Sequence, residues 1–169
     1  LRHWKGEDRY IREFAKAADQ LSAAYHAQIL FVPLQFPADL DLSRRVQAQM
    51  KTKDAVFILP AKCSTQGYQD LVRCCHMLIG MRLHALVFAA LNNVPFMAVS
   101  YDPKVDRFVK GMEGAIAGNI NTITSSDIVQ AAASLWHKDG RQPSNKIQAL
   151  HQEAVANLQR ALKLLPQSE

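Results

Sequence analysis

Leu78-Ile79-Gly80-Met81-Arg82-Leu83-His84-Ala85-Leu86 and, further on, Ser100-Tyr101-Asp102-Pro103-Lys104 decide the reading of this chain. Each puts basic side chains just past a short apolar run of the kind that forms a buried strand. In a parallel α/β sheet, such positions fall on neighbouring loops at the carboxyl edge, where these folds bind ligands. Arg82, His84 and Lys104 would then converge on a small anion.

The surrounding pattern supports that sheet. Asp8 to Tyr25 carries Tyr10, Ile11, Phe14, Ala17, Ala18, Leu21 and Tyr25 at helical spacing, and Gln28 to Pro33 reads as a strand closed by proline. Leu40 to Met50 follows as a helix, with Asp39 or Asp41 at its start, and Ala55 to Leu59 as a second strand. Ser64 or Thr65 can cap a helix over Gln66 to Cys74. His76 to Ile79 is the third strand, Arg82 to Leu91 a helix, and Pro95 to Val99 the fourth strand. Val105 to Met112 then predicts a short helix, Ile120 to Ile123 a last strand, and Ser126 to Trp136 a helix. Lys146 to Leu165 shows an apolar stripe through Ile147, Leu150, Ala154, Leu158, Ala161 and Leu165. Short strands alternating with helices predict a Rossmann-like parallel sheet with helices on both faces.

Composition narrows the class. The 169 residues fit one domain, and a 49% hydrophobic fraction with 8% aromatics is that of a globular chain. The net charge of +5 suits a surface that meets phosphates. The basic residues are scattered and not interleaved with aromatics, which argues against nucleic acid as a partner. Three cysteines, Cys63 and the adjacent Cys74 and Cys75, make a poor disulfide framework and point to a reducing, cytoplasmic setting. The histidines show no metal-ligand spacing, so no metal is expected. The longest apolar stretch, Leu83 to Leu91, falls well short of the roughly 20 residues a membrane span needs. Leu1-Arg2-His3-Trp4 reads like the end of a strand running into a helix, as in a piece of a longer protein.

The candidate site has a chemical logic and ordinary alternatives. The start of the helix after Gly80 offers free N–H groups and a favourable dipole to an anion. Gly80 would let the backbone turn and a ligand approach closely. Arg82 offers a planar fork to a carboxylate or phosphate, and His84 can give or take a proton. Pro103 places Lys104 at the start of the next helix. Against this, Arg82 could pair at the surface, His84 could be a satisfied half-buried histidine, and Lys104 a solvated lysine after a turn. Lys62 follows the second strand, Gln35 and Asp39 the first. Loops after strands are polar by default, so the ordinary reading is preferred for these three. Lys62, Gln35 and Tyr101 stand as outer members of the site. Cys74 and Cys75 read as packed core residues, Trp136 as a core or domain-contact aromatic, and the last helix's stripe as packing.

Ile79-Gly80-Met81-Arg82-Leu83-His84-Ala85-Leu86, with Val94-Pro95 and Ser100-Tyr101-Asp102-Pro103-Lys104-Val105, closely resembles the polysaccharide pyruvyl transferase family. Val32-Pro33-Leu34-Gln35, Asp39 and the Arg2-x-Trp4 opening fit the same pattern. Within the family the chain looks most like the CsaB-type enzymes, which pyruvylate cell-wall polymers that anchor S-layer proteins. The resemblance implies the carboxyl-terminal half of a two-domain enzyme similar to GT-B glycosyltransferases, with the active site between the halves. It also implies phosphoenolpyruvate as donor substrate, no cofactor and a lipid-linked saccharide acceptor. The absent amino-terminal domain would be a partner in the site, with peripheral contact at the inner face of the membrane. On that reading Arg82, Lys104 and Gly80 bind phosphoenolpyruvate and His84 is the catalytic acid. Two other readings use the same edge: a glycosyltransferase half that binds a nucleotide sugar, and a Rossmann-like module without catalysis. No convincing acid for a nucleotide ribose is present, which counts against the first of these.

Overall fold

Pro33, Pro60 and Pro95 bracket runs of β-branched and aromatic residues, which sets where the chain can extend and where it must turn. The computed structural model describes residues 7–112, 114–136 and 144–162. The opening Leu1–Trp4 and the end of the last predicted helix at Leu165 lie outside them. The described elements are α1 (Glu7–Tyr25), β1 (Ile29–Phe31), α2 (Ala38–Gln49), β2 (Val56–Ile58), α3 (Thr65–Arg73) and β3 (Leu78–Gly80). They continue with α4 (Leu83–Leu91), β4 (Phe96–Ser100), α5 (Pro103–Gly111), β5 (Ala115–Asn119), α6 (Ser125–Trp136) and α7 (Ser144–Leu162).

Every strand pairing is parallel. The strands form two small sheets, β1-β2 and β3-β4-β5. Ile29 pairs with Val56 in the first sheet; Gly80 pairs with Ala98 and Ser100 with Asn119 in the second. The alternation of β4 divides the core between its two faces. Met97 and Val99 join Ile11, Leu21, Val46 and Ile128 in a cluster under α1, α2 and α6. Phe96 and Ala98 join Val72, Leu86, Val105 and Val109 in a second cluster under α3, α4 and α5. Helices therefore cover both faces, as the Rossmann-like pattern requires.

The details correct the sequence pattern in three places. The fifth strand is Ala115–Asn119, not Ile120–Ile123. Ile120 and Ile123 are buried, but they lie in the turn that follows, where Asn119 C=O accepts from the N–H groups of Thr122 and Ile123. Their apolarity reports burial under α1 and α6 rather than strand pairing. Second, the adjacent cysteines part ways: Cys74 is exposed rather than core, while Cys75 is half-buried and packs against the second cluster. Burial still pushes the Cys75 thiol pKa up, with the neighbouring Cys74 adding to it. Third, the described part of the α7 stripe is only lightly engaged. Ile147 packs on the second cluster, while Ala154 and Val155 are exposed. Trp136 is a contact aromatic, stacked on Tyr25 at 4.4 Å between ring centroids and on His76 at 5.9 Å.

Candidate functional site

The strands form two separate sheets, β1-β2 and β3-β4-β5, and Ile29 to Phe31 of β1 and Ile79 of β3 line the gap between them. Parallel α/β folds place ligands at the carboxyl ends of their strands. The loops after β1 and β3 meet through one ion pair. Asp39 Oδ2 accepts from the N–H groups of Leu34 at 3.2 Å and Gln35 at 2.9 Å, which folds the β1 loop around the carboxylate. The same carboxylate takes two bonds from Arg82, Nε to Oδ2 at 3.2 Å and Nη2 to Oδ1 at 2.5 Å. This is a bidentate fork across 43 residues of sequence.

Asp39 is the residue that the sequence undervalued. As a polar residue in a loop it carries no local signal of its partner, and its helix-start position already supplied an explanation. It is the more buried of the two, with 18% of its side chain exposed against 39% for Arg82. The hydrogen bond to Asp39 raises the Arg82 pKa above its ordinary value, against the opposing effect of burial; the Asp39 charge and Tyr101 add to the rise. The guanidinium is therefore a permanent cation whose Nε–Nη2 edge is committed to Asp39. Nη1 lies on the other side of the fork from that committed edge.

Arg82 is also the N-cap residue of α4, in extended conformation and without a side-chain cap on the helix. The contrast with its neighbours is direct. Ser64 Oγ caps α3 by accepting from Gly67 N–H at 3.1 Å, and Asp102 caps α5 by accepting from Lys104 N–H at 3.0 Å. In α4 the Arg82 C=O receives Ala85 and Leu86 N–H, and the earlier N–H groups are those a helix start directs outward. His84 is exposed in this first turn.

Gly80 is explained by packing. A Cβ there would come within 2.8 Å of Leu86 Cδ2 and 2.9 Å of Leu78 Cδ2, so a side chain at this position would have to push both leucine ends aside. Tyr101 follows β4 beside Arg82 and is half-buried. Lys104 stands in the first turn of α5 with 54% of its side chain exposed, its Nζ 3.8 Å from Asp102 Oδ2. Lys62 and Gln35 are exposed in the loops after β2 and β1. Arg82, Tyr101 and Asp39 thus form one contact group, joined to the Gln35 backbone through Asp39. His84, Lys104 and Lys62 each follow the carboxyl end of a strand, β3, β4 and β2 in turn, and lie outside that group. Among the described residues no cluster of three or more His, Cys, Asp or Glu could hold a metal ion. Nor is any helix there long and apolar enough to cross a membrane.

These features define an α/β domain of the doubly wound class whose carboxyl edge presents a fixed guanidinium beside an uncapped helix start. The chain belongs to the polysaccharide pyruvyl transferase family, a family of transferases, whose model matches residues 2–103. The match takes in Asp39, Gly80, Arg82, His84 and Tyr101, and it stops one residue before Lys104. No curated protein and no solved structure matches the chain.

Proposed function

We propose that this chain is the donor-binding, carboxyl-terminal half of a CsaB-type pyruvyl transferase that takes phosphoenolpyruvate and builds a cyclic ketal on a saccharide. The observation that carries the reading is Arg82, held by Asp39 where the loops after β1 and β3 meet, within a chain of this family. One edge of the guanidinium is occupied by Asp39, and the other suits a carboxylate or phosphate oxygen. Lys104 and the start of α4 add positive potential for the remaining charge of the donor. Gly80 acts through the close fit of α4 on β3, which sets where that helix begins.

The chemistry follows from the donor. Protonation of the methylene carbon turns it into a methyl group and leaves C2 electron-poor. A first saccharide hydroxyl adds at C2, and a second displaces phosphate to close the ketal. His84, exposed at the helix start, is the acid for the first step. Fixed positive charge at the edge stabilises the departing phosphate. The acceptor is a lipid-linked precursor of a cell-wall polymer, met at the inner face of the membrane by a cytoplasmic enzyme. A second, amino-terminal domain supplies the acceptor's side of the cleft. The 169-residue chain by itself is therefore expected to release no phosphate from phosphoenolpyruvate and a sugar, since one half cannot hold both reactants in reacting geometry.

Titration of the full-length protein tests the assignment. Phosphoenolpyruvate should bind and a nucleotide sugar should not; the reverse would make the chain a glycosyltransferase half, and binding of neither a module without this chemistry. Arg82→Lys should weaken phosphoenolpyruvate binding although the charge remains, because a point charge cannot serve Asp39 and the donor together. His84→Gln should lower kcat by about 10²–10⁴-fold with little change in KM, the loss expected of a general acid. Near-normal turnover with much weaker donor binding would make His84 an anion ligand instead.

A further inference from the structure

Four N–H groups converge on the Asp39 carboxylate, and only two of them belong to Arg82. Oδ2 accepts from Leu34 N–H, Gln35 N–H and Arg82 Nε, and Oδ1 accepts from Arg82 Nη2. The loop that carries Asp39 is fastened without the arginine. Asp39 N–H donates to Gln35 C=O at 2.8 Å, and Ser43 Oγ donates to Asp39 C=O at 2.7 Å. The buried Tyr68 hydroxyl, on α3, donates to Pro33 C=O at 3.2 Å. The carboxylate is therefore the fixed partner and the guanidinium the one that is aimed.

Two opposed effects on an anion at Arg82 follow. The fork on Asp39 fixes the plane of the guanidinium, so the remaining Nη1–Nη2 edge, itself a pair of parallel donors, faces one direction. The carboxylate also cancels the guanidinium charge, and it stands across Nη2 from any anion on that edge, where like charges repel. An anion with one charged group gains little from orientation and meets the repulsion in full. An anion with two charged groups at a fixed separation needs the orientation to seat both. We propose that Asp39 is a specificity-determining residue that keeps Arg82 from trapping free oxyanions and reserves it for a donor with a second anionic group, an inference that rests on Arg82 binding the donor. Phosphoenolpyruvate then meets Arg82 with one of its anionic groups and the rest of the site with the other. Released phosphate has a single group and is held loosely enough to leave. Asp39 acts through Arg82 and is a positioning residue, not a catalytic one.

Calorimetric titration of the full-length protein with inorganic phosphate tests this apart from any transferase assay. Asp39→Asn is the decisive variant. Its side-chain carbonyl still accepts from Leu34 and Gln35, which keeps the loop, while its amide carries no charge and turns a donor toward Arg82. Phosphate should bind Asp39→Asn about 10-fold or more tighter than the parent, and the gain should vanish in Asp39→Asn/Arg82→Ala. Asp39→Glu, which keeps the charge, should bind phosphate as weakly as the parent. A purely structural Asp39 would give no gain in any variant. With phosphoenolpyruvate the sign reverses, and Asp39→Asn should bind it about 10-fold more weakly than the parent. Phosphate binding in Asp39→Asn that is unchanged or weaker overturns the proposal, as does a gain that survives the loss of Arg82. If Asp39→Asn does not fold, the same titration of Asp39→Ser decides, since its hydroxyl can accept from the loop N–H groups. Phosphoenolpyruvate that fails to bind the parent overturns the donor reading and the reservation with it. Parent binding that Asp39→Asn leaves unchanged overturns this proposal alone.

Discussion

The two sheets are built from residues of similar apolarity and end in different states. All five residues of β4, Phe96 to Ser100, are buried. In the smaller sheet Leu30 is 38% exposed and Phe57 51%. β4 has a strand on each side and a helix layer on each face, whereas β1 and β2 are covered by α1 and α2 on the face of Ile29, Phe31 and Val56. Leu30 and Phe57 project to the other face. Burial here is conferred by neighbours, and a strand sequence is only permission for it. Where the well-buried half meets the sparsely covered one, a charged pair rather than a shared ladder joins their loops.

The largest effect should separate the halves by truncation. Phe96→Ala, at a fully buried ring stacked near Phe108, should cost about 3–5 kcal/mol of unfolding free energy. Phe57→Ala should cost less than about 1 kcal/mol. Denaturant titration reads both, and equal costs would break the comparison by showing that Phe57 is covered in solution. A smaller effect sharpens the junction. A double-mutant cycle on Asp39→Ala and Arg82→Ala should give a coupling of about 1 kcal/mol that shrinks in high salt, the range for a partly exposed pair. No coupling would mean that the loops after β1 and β3 are held together by something else.

The smallest effect concerns how α1, which roofs the gap, is fastened to the three-stranded half. Glu13 accepts from Ser125 N–H at the start of α6 at 2.7 Å and from Lys16 at 3.0 Å. The Ser125 backbone bond, followed by the Lys16 bond, lowers its pKa below the ordinary 4.5. A carboxyl whose folded pKa is depressed stabilises the fold above its unfolded pKa and loses that contribution as pH falls through the folded value. Glu13→Gln should therefore melt below the parent at pH 7, and the gap should narrow at acid pH below 4.5. A gap independent of pH would remove the charge from the explanation.

How far the sequence reaches differs from element to element. Proline-bounded apolar runs located β1 to β4, and Asp102-Pro103 located the start of α5, because turn chemistry and strand length are local properties. β5 was displaced because Ala115-Ile116-Ala117-Gly118-Asn119 carries small residues of weak strand propensity beside the more apolar Ile120 and Ile123. At the site, Arg82 and His84 were legible as basic residues past a strand, while the partnership with Asp39 was not. Nothing within several residues of Asp39 announces a guanidinium that lies 43 positions away.

By itself, then, the chain determined the alternation of helices and parallel strands and the family to which it belongs. Periodicity, turn residues and motif spacing act over a few neighbouring residues and survive in the linear order. Tertiary structure alone decided that the strands form two sheets, that Gly80 is held by Leu86, and that Asp39 commits one edge of Arg82. Those outcomes depend on which distant groups arrive together when the core closes, and the free energy of such contacts exists only once the partner is in place.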